Sequence, residues 1–137
     1  MTRIANDSET LRRALLVDAT ASGGMGVLLL AAAGRLEPLL GLPTALLRGV
    51  GVFLIPFAAF LVWLAPRTAG LRSLVRVVIA GNVLWIVASL VLLVRERFAT
   101  TPLGTIFVAA QAVAVAVFAY LEHRALARAV GAYVTAG

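Results

Sequence analysis

Charged and turn-forming residues punctuate this chain at wide intervals and leave four long apolar runs between them. The runs cover about Ala14 to Ala33, Leu46 to Leu64, Leu71 to Val94 and Leu103 to Leu121. Each is about 18–24 residues long, close to the roughly 20 that a helix needs to cross a 30 Å hydrocarbon core. Irregular backbone is intolerable in lipid, so each run predicts a helix. Short connections between successive runs then predict an all-α, antiparallel bundle of four transmembrane helices in one domain.

The flanks supply the punctuation. Residues 1–13 are polar, and Asn6 with Glu9 resembles a capping box, which starts a helix near Asp7. Gly34-Arg35-Leu36-Glu37-Pro38 reads as the end of the first span, and Leu39 to Pro43 as an apolar turn. Thr44 reads as the N-cap of span two. Pro56 inside that span predicts a kink. Pro66 to Gly70 forms a tight connection, and Arg95-Glu96-Arg97 closes span three. Thr101 reads as an N-cap with Pro102 at the first helical position, where its missing N–H does no harm. Residues 122–137 form an amphipathic tail, its helix stopped at Gly131. A cleaved signal peptide competes for the first span, because arginines precede it and Ala31-Ala32-Ala33 offers small residues. Asp18 and the length of the run count against cleavage. Leu11-Arg12 with Arg35 aligns with Leu71-Arg72 and Arg95 at an offset of 60, but so apolar a background produces such matches by chance.

Composition sharpens this picture. Hydrophobic residues make up 62% of the 137 and charged residues 13%, against roughly 45–50% and 25% in soluble domains. A soluble fold of this length cannot bury that much apolar surface. The net charge of +6 comes from twelve arginines that cluster beside the apolar runs rather than among aromatics on one face. That distribution marks membrane flanks and argues against nucleic acid. With the N-terminus inside, Arg3, Arg12, Arg13, Arg67, Arg72, Arg76, Arg124 and Arg128 lie on the cytoplasmic side, and Arg35, Arg48, Arg95 and Arg97 outside. The excess predicts a multi-pass protein of the cell inner membrane with both termini cytoplasmic. No cysteine is present, which excludes disulfides and thiolate catalysis.

The informative residues are polar ones inside the runs. Counting 1.5 Å per residue puts Asp18 about 7–8 Å below Arg13, Asn82 about 9 Å below Arg76, and Gln111 about 16 Å from Glu122. Asp18, Arg76, Asn82 and Glu122 thus fall in one half of the membrane, where they form a candidate polar cluster. Two readings follow. Asp18 pairs with Arg76, neutralising two costly charges while Asn82 and Gln111 act as interhelical glue. Alternatively the cluster is an ion, proton or substrate site, since intramembrane ionisable residues carry that hypothesis by default. Asn82, Trp85 and Ser89 share a helical face, so Trp85, Ser89 and Gln111 are candidate pocket or path lining. Phe53, Phe57 and Phe60 share a face of span two that reads as lipid-facing or packing surface rather than a binding box, and Trp63 as an interfacial anchor. Ala19 with Gly23 and Ser22 with Gly26 are spaced for close helix approach.

Enzyme chemistry finds no support: no serine–histidine–acid set, no metal ligands, no phosphate loop and no cofactor motif. His123 beside Glu122 is explained by a solvated helix end.

Asp18 in span one, Leu40-Gly41-Leu42-Pro43 before span two, Gly81-Asn82 with Trp85 and Ser89, and Gln111-Ala112 with Glu122 form a combination similar to a group of small bacterial four-span integral membrane proteins. That group has no assigned activity, so the resemblance covers nearly the whole chain yet implies only the fold. Small multidrug transporters share the length, the spans and an acid in span one, but the rest of their pattern is not evident. The expected role is therefore non-enzymatic: a subunit, accessory or assembly partner of other membrane proteins or of its own copies in the bilayer. The alternative is a minimal oligomeric transporter or channel that uses Asp18 for a small solute, ion or proton.

Overall fold

The protein, seen here as a computed structural model, is described over residues 2–95 and 100–135, with Arg3 and Ile4 described by backbone alone. It is all-helical among the described residues: α1 (Thr2–Leu40), α2 (Thr44–Leu64), a short 3-10 turn (Ala65–Arg67), α3 (Arg72–Val94) and α4 (Pro102–Thr135). All four helices are long and apolar enough to cross a membrane. Successive helices run antiparallel, with α1 packed on α2 and α4, and α4 packed also on α3. The backbones of α2 and α3 barely meet.

Two helices outrun the sequence reading. α1 does not end at Gly34–Pro38 but continues to Leu40 with Pro38 inside its last turn. Pro38 removes one donor there, whereas Gly41 supplies the actual stop. Its φ of 67° is the left-handed conformation open to glycine, and its N–H donates to the Glu37 carbonyl at 2.8 Å. At the other end, α1 starts at Thr2, before the proposed capping box, and Glu9 instead pairs with Arg12 and Arg13 at 3.1 and 3.0 Å. α4 likewise runs through Gly131 to Thr135. A lone glycine costs a helix about 1 kcal/mol relative to alanine and stops it only where the chain must turn. The expected closing motif of span three includes Glu96 and Arg97, which lie outside the described residues.

The start of α2 uses a side chain from α1, whereas α4 is capped by Thr101, the residue before it. Thr44 is the first residue of α2 rather than its cap; its N–H (3.2 Å) and its hydroxyl both donate to the Glu37 carboxylate of α1. A carboxylate at a helix N-terminus satisfies an orphan donor and complements the dipole. Thr101 accepts from the Gly104 N–H at 3.0 Å, capping α4, and donates to the Leu39 carbonyl, which ties α4 to the end of α1.

Small residues set the helix spacing. A methyl group on Gly51 of α2 would sit 2.8 Å from Leu30 and 3.0 Å from the Gly26 carbonyl, and one on Gly26 would meet Ile55 and Leu54 at 3.0 and 3.1 Å. A Cβ on Gly23 would lie 3.3 Å from that of Ala58. Gly23 and Gly26 therefore form the α1–α2 seam with Gly51 and Ala58. Gly104 is tighter still, because a Cβ there would overlap the Leu40 carbonyl. Two apolar clusters close the bundle. One, at the end bearing the termini, joins Leu11, Leu15, Leu61, Leu64, Val75, Val78 and Leu126; the other, at the far end, joins Leu29, Leu40, Leu47, Leu54 and Val108.

Candidate functional site

Between these clusters lie the polar residues. Each is carried on the stripe that its helix turns inward. On α1 the stripe is Leu11, Leu15, Asp18 and Ala19; on α3 it is Val75, Val78 and Asn82; on α4 it is Ala119, Glu122, Ala125, Leu126 and Ala129. These spacings of three, four and seven keep one face of each helix towards the bundle axis. Asp18, Asn82 and Glu122 are accordingly buried at 1%, 5% and 0% exposure.

The Asn82 amide nitrogen joins them. Asn82 Nδ2 donates to Asp18 Oδ2 at 3.1 Å and to Glu122 Oε2 at 3.1 Å, so its two hydrogens go to two carboxylates on different helices. Ser22 Oγ donates to Asp18 Oδ1 at 2.8 Å, one turn along α1. Glu122 Oε1 is buried with no hydrogen-bond partner. An orphaned buried acceptor calls for a physical explanation, such as a bound proton or ion.

Arg76 does not join the cluster. It sits nearly two turns nearer the helix start than Asn82, and its side chain is exposed. Among the described residues the ion pairs are Glu9 with Arg12 and Glu9 with Arg13. The proposed Asp18–Arg76 pair is absent. Arg76 is two positions before the inward-facing Val78 and one after Val75, which turns it away from the axis. Glu122 also departs from the solvated helix end expected for it: α4 continues for three further turns, and only His123 is exposed.

Above the triad opens a cavity of about 590 Å³. Ser22 and Asn82 form part of its wall, with Met25, Phe53, Phe57, Trp85, Phe107, Gln111 and Phe118. Trp85 and Phe53 lie nearly parallel across the α2–α3 gap, their centroids 6.2 Å apart and planes 8° apart, and Phe57 stacks on Phe53 at 5.9 Å. A smaller space of about 190 Å³ lies beyond Trp85 and Gln111 and reaches Ser89. Trp85, Ser89 and Gln111 thus line cavities, although the Ser89 hydroxyl donates to the Trp85 carbonyl at 2.8 Å. Phe53 and Phe57 line the larger one, while Phe60 stacks on Trp63 and Arg67 lies 4.8 Å over the Trp63 ring. Ser22 is a ligand of Asp18 more than a packing residue. Ala19, by contrast, is buried in the core.

Among the described residues no group of three or more histidine, cysteine, aspartate or glutamate side chains is placed to hold a metal ion. Comparison of the chain with known protein families, with curated proteins and with solved structures finds no match.

Proposed function

We propose that this is a non-enzymatic, multi-pass membrane protein that binds a proton at the Asp18–Glu122 pair and couples it to a small solute in the neighbouring cavity. The observation that carries this reading is the shared amide. Two carboxylates are held within a few ångströms by one Asn82 nitrogen, and among the described residues no arginine pairs with them and Glu122 Oε1 has no partner. At a separation of 4 Å, like charges repel by about 4 kcal/mol at an effective dielectric of 20. One proton bound by the pair removes that repulsion. Intramembrane carboxylates in this situation serve proton relays and coupling sites.

The arginine distribution supports placing both termini in the cytoplasm, which sets the triad in the inner half of the membrane. Purified protein in vesicles that trap a pH-sensitive dye tests the reading. A proton flux is expected from the wild type and lost in Asp18→Asn and Glu122→Gln, both of which keep the size and shape of the side chain. Equal flux from all three proteins would remove the pair from any transport role.

A second reading, a subunit or assembly partner of other membrane proteins or of its own copies, draws support from α3. That helix exposes Val77, Val83, Leu84, Val87, Leu90, Val91 and Val94 and is the least covered of the four. Crosslinking at Val87 separates a partner from lipid on that face.

A further inference from the structure

We infer that the central cavity takes a small, flat, largely apolar molecule that enters from the lipid phase and presents one hydrogen-bond donor to the Asn82 carbonyl oxygen. This rests on the reading of the cavity as the solute chamber and adds the chemical class of the solute.

Three observations carry it. The first is the wall: about 590 Å³ lined almost wholly by apolar atoms, with Phe53, Phe57 and Trp85 among its side chains. Ligand pockets of roughly 300–1,000 Å³ with a few placed polar groups are the usual form of small-molecule sites. Aromatic walls favour a stacked ring.

The second is the polar inventory. Asn82 spends both N–H donors on Asp18 and Glu122, so what it offers the cavity is its carbonyl oxygen, an acceptor with no hydrogen bond from any described residue. The Ser22 hydrogen is likewise spent on Asp18. Beside Asn82 and Ser22 a ligand acceptor therefore meets no free hydrogen, whereas a ligand N–H or O–H meets the Asn82 carbonyl oxygen; the Gln111 amide also lines the cavity and is the competing partner. An acyl chain fills the volume but leaves that oxygen unpaired.

The third is access. The apolar clusters around Leu61 and Val78 at one end and Leu29, Leu47 and Val108 at the other close the bundle above and below. Sideways, α2 and α3 are bridged by the Phe53–Trp85 stack without close backbone contact. Two side chains can swing aside where two packed backbones cannot, so the opening faces the bilayer flank.

Two probes that differ in one group test the inference: N-phenyl-1-naphthylamine, which carries an N–H, and 1-benzylnaphthalene, which has a methylene there. Trp85 and Trp63 are the two tryptophans of the chain, so Trp63→Phe makes Trp85 the reporter. In detergent, energy transfer from Trp85 to the amine should saturate, 1-benzylnaphthalene should displace the amine competitively, and the amine should bind about tenfold more tightly, as one hydrogen bond predicts. Ala114→Phe, which fills the cavity, should weaken both at least tenfold, with Gly81→Leu as a second filling variant. Gln111→Leu should leave the amine preference intact. Equal affinity for the two probes overturns the donor assignment, and loss of the preference in Gln111→Leu moves it from Asn82. Binding unchanged by either filling variant places the probes outside the cavity. Because binding is read without a gradient, its failure leaves the proton reading standing, and absent proton flux leaves this one standing.

Discussion

Asp18 of α1 and Glu122 of α4 are bound to the same nitrogen atom, 3.1 Å from each, contributed by Asn82 of α3. One amide therefore fixes three helices relative to one another. It also holds together two acidic groups that would otherwise separate.

Replacing Asn82 by leucine should destabilise the protein by about 3 kcal/mol, the sum of two hydrogen bonds to charged or polar acceptors of 1.5–3 kcal/mol each less the gain of an apolar side chain. Thermal unfolding in detergent measures it. A double variant, Asn82→Leu with Glu122→Leu, should recover part of the loss because it strands one acid instead of two. A double variant less stable than the single would show that Glu122 has another partner.

Arg76 behaves differently. Its exposed side chain predicts that Arg76→Gln changes stability by less than about 0.5 kcal/mol. Adding it to Asp18→Asn should change nothing further, because distant sites without shared partners add. A double variant more stable than Asp18→Asn alone, seen in the same melting experiment, would restore an Asp18–Arg76 pair.

The helices were legible because long apolar runs between arginine clusters have one stable solution in lipid. Their ends were not. Glu37-Pro38 and Gly131 are residues that often stop helices, but a stop requires that the chain turn there, and the turn is fixed by the contact of α4 with the end of α1. Within the site, Asp18, Asn82 and Glu122 were separately visible as polar residues at similar depth. Opposite charge suggests Arg76 as the partner of Asp18, but the helical face that each side chain shares decides the contact. Asn82 lies on the stripe of Val75 and Val78, and Arg76 does not. Glu122 follows the last apolar run in the sequence, yet Ala125, Leu126 and Ala129 continue its face for two further turns, which keeps it inside the bundle with Asp18 and Asn82. No one-dimensional pattern showed that a single nitrogen would serve both acids.

Two glycines in α4 make a matched pair. Gly104→Ala places a methyl group against the Leu40 carbonyl and should cost at the upper end of the roughly 1–3 kcal/mol typical of overpacking, since backbone must move. Gly131→Ala meets open space and should stabilise by up to about 1 kcal/mol through helix propensity. Opposite signs in one melting series check both. A tolerated Gly104→Ala would mean that α4 does not dock on the end of α1 in this way.

The side of the membrane on which each helix end lies can be read from accessibility, because the chain has no cysteine to interfere. Thr2 and Arg35 are exposed near opposite ends of α1. At 1.5 Å per residue their separation is about 50 Å, more than the full thickness of a bilayer with its headgroups, so a crossing α1 places the two positions on opposite sides. With the termini inside, a cysteine at position 35 should react with a membrane-impermeant maleimide in intact cells, and one at position 2 should react only after the membrane is opened or inverted. The reverse pattern would invert the orientation inferred from the arginines and place the Asp18–Glu122 pair nearer the outer surface. Labelling of both positions in intact cells would mean that α1 does not cross the membrane at all.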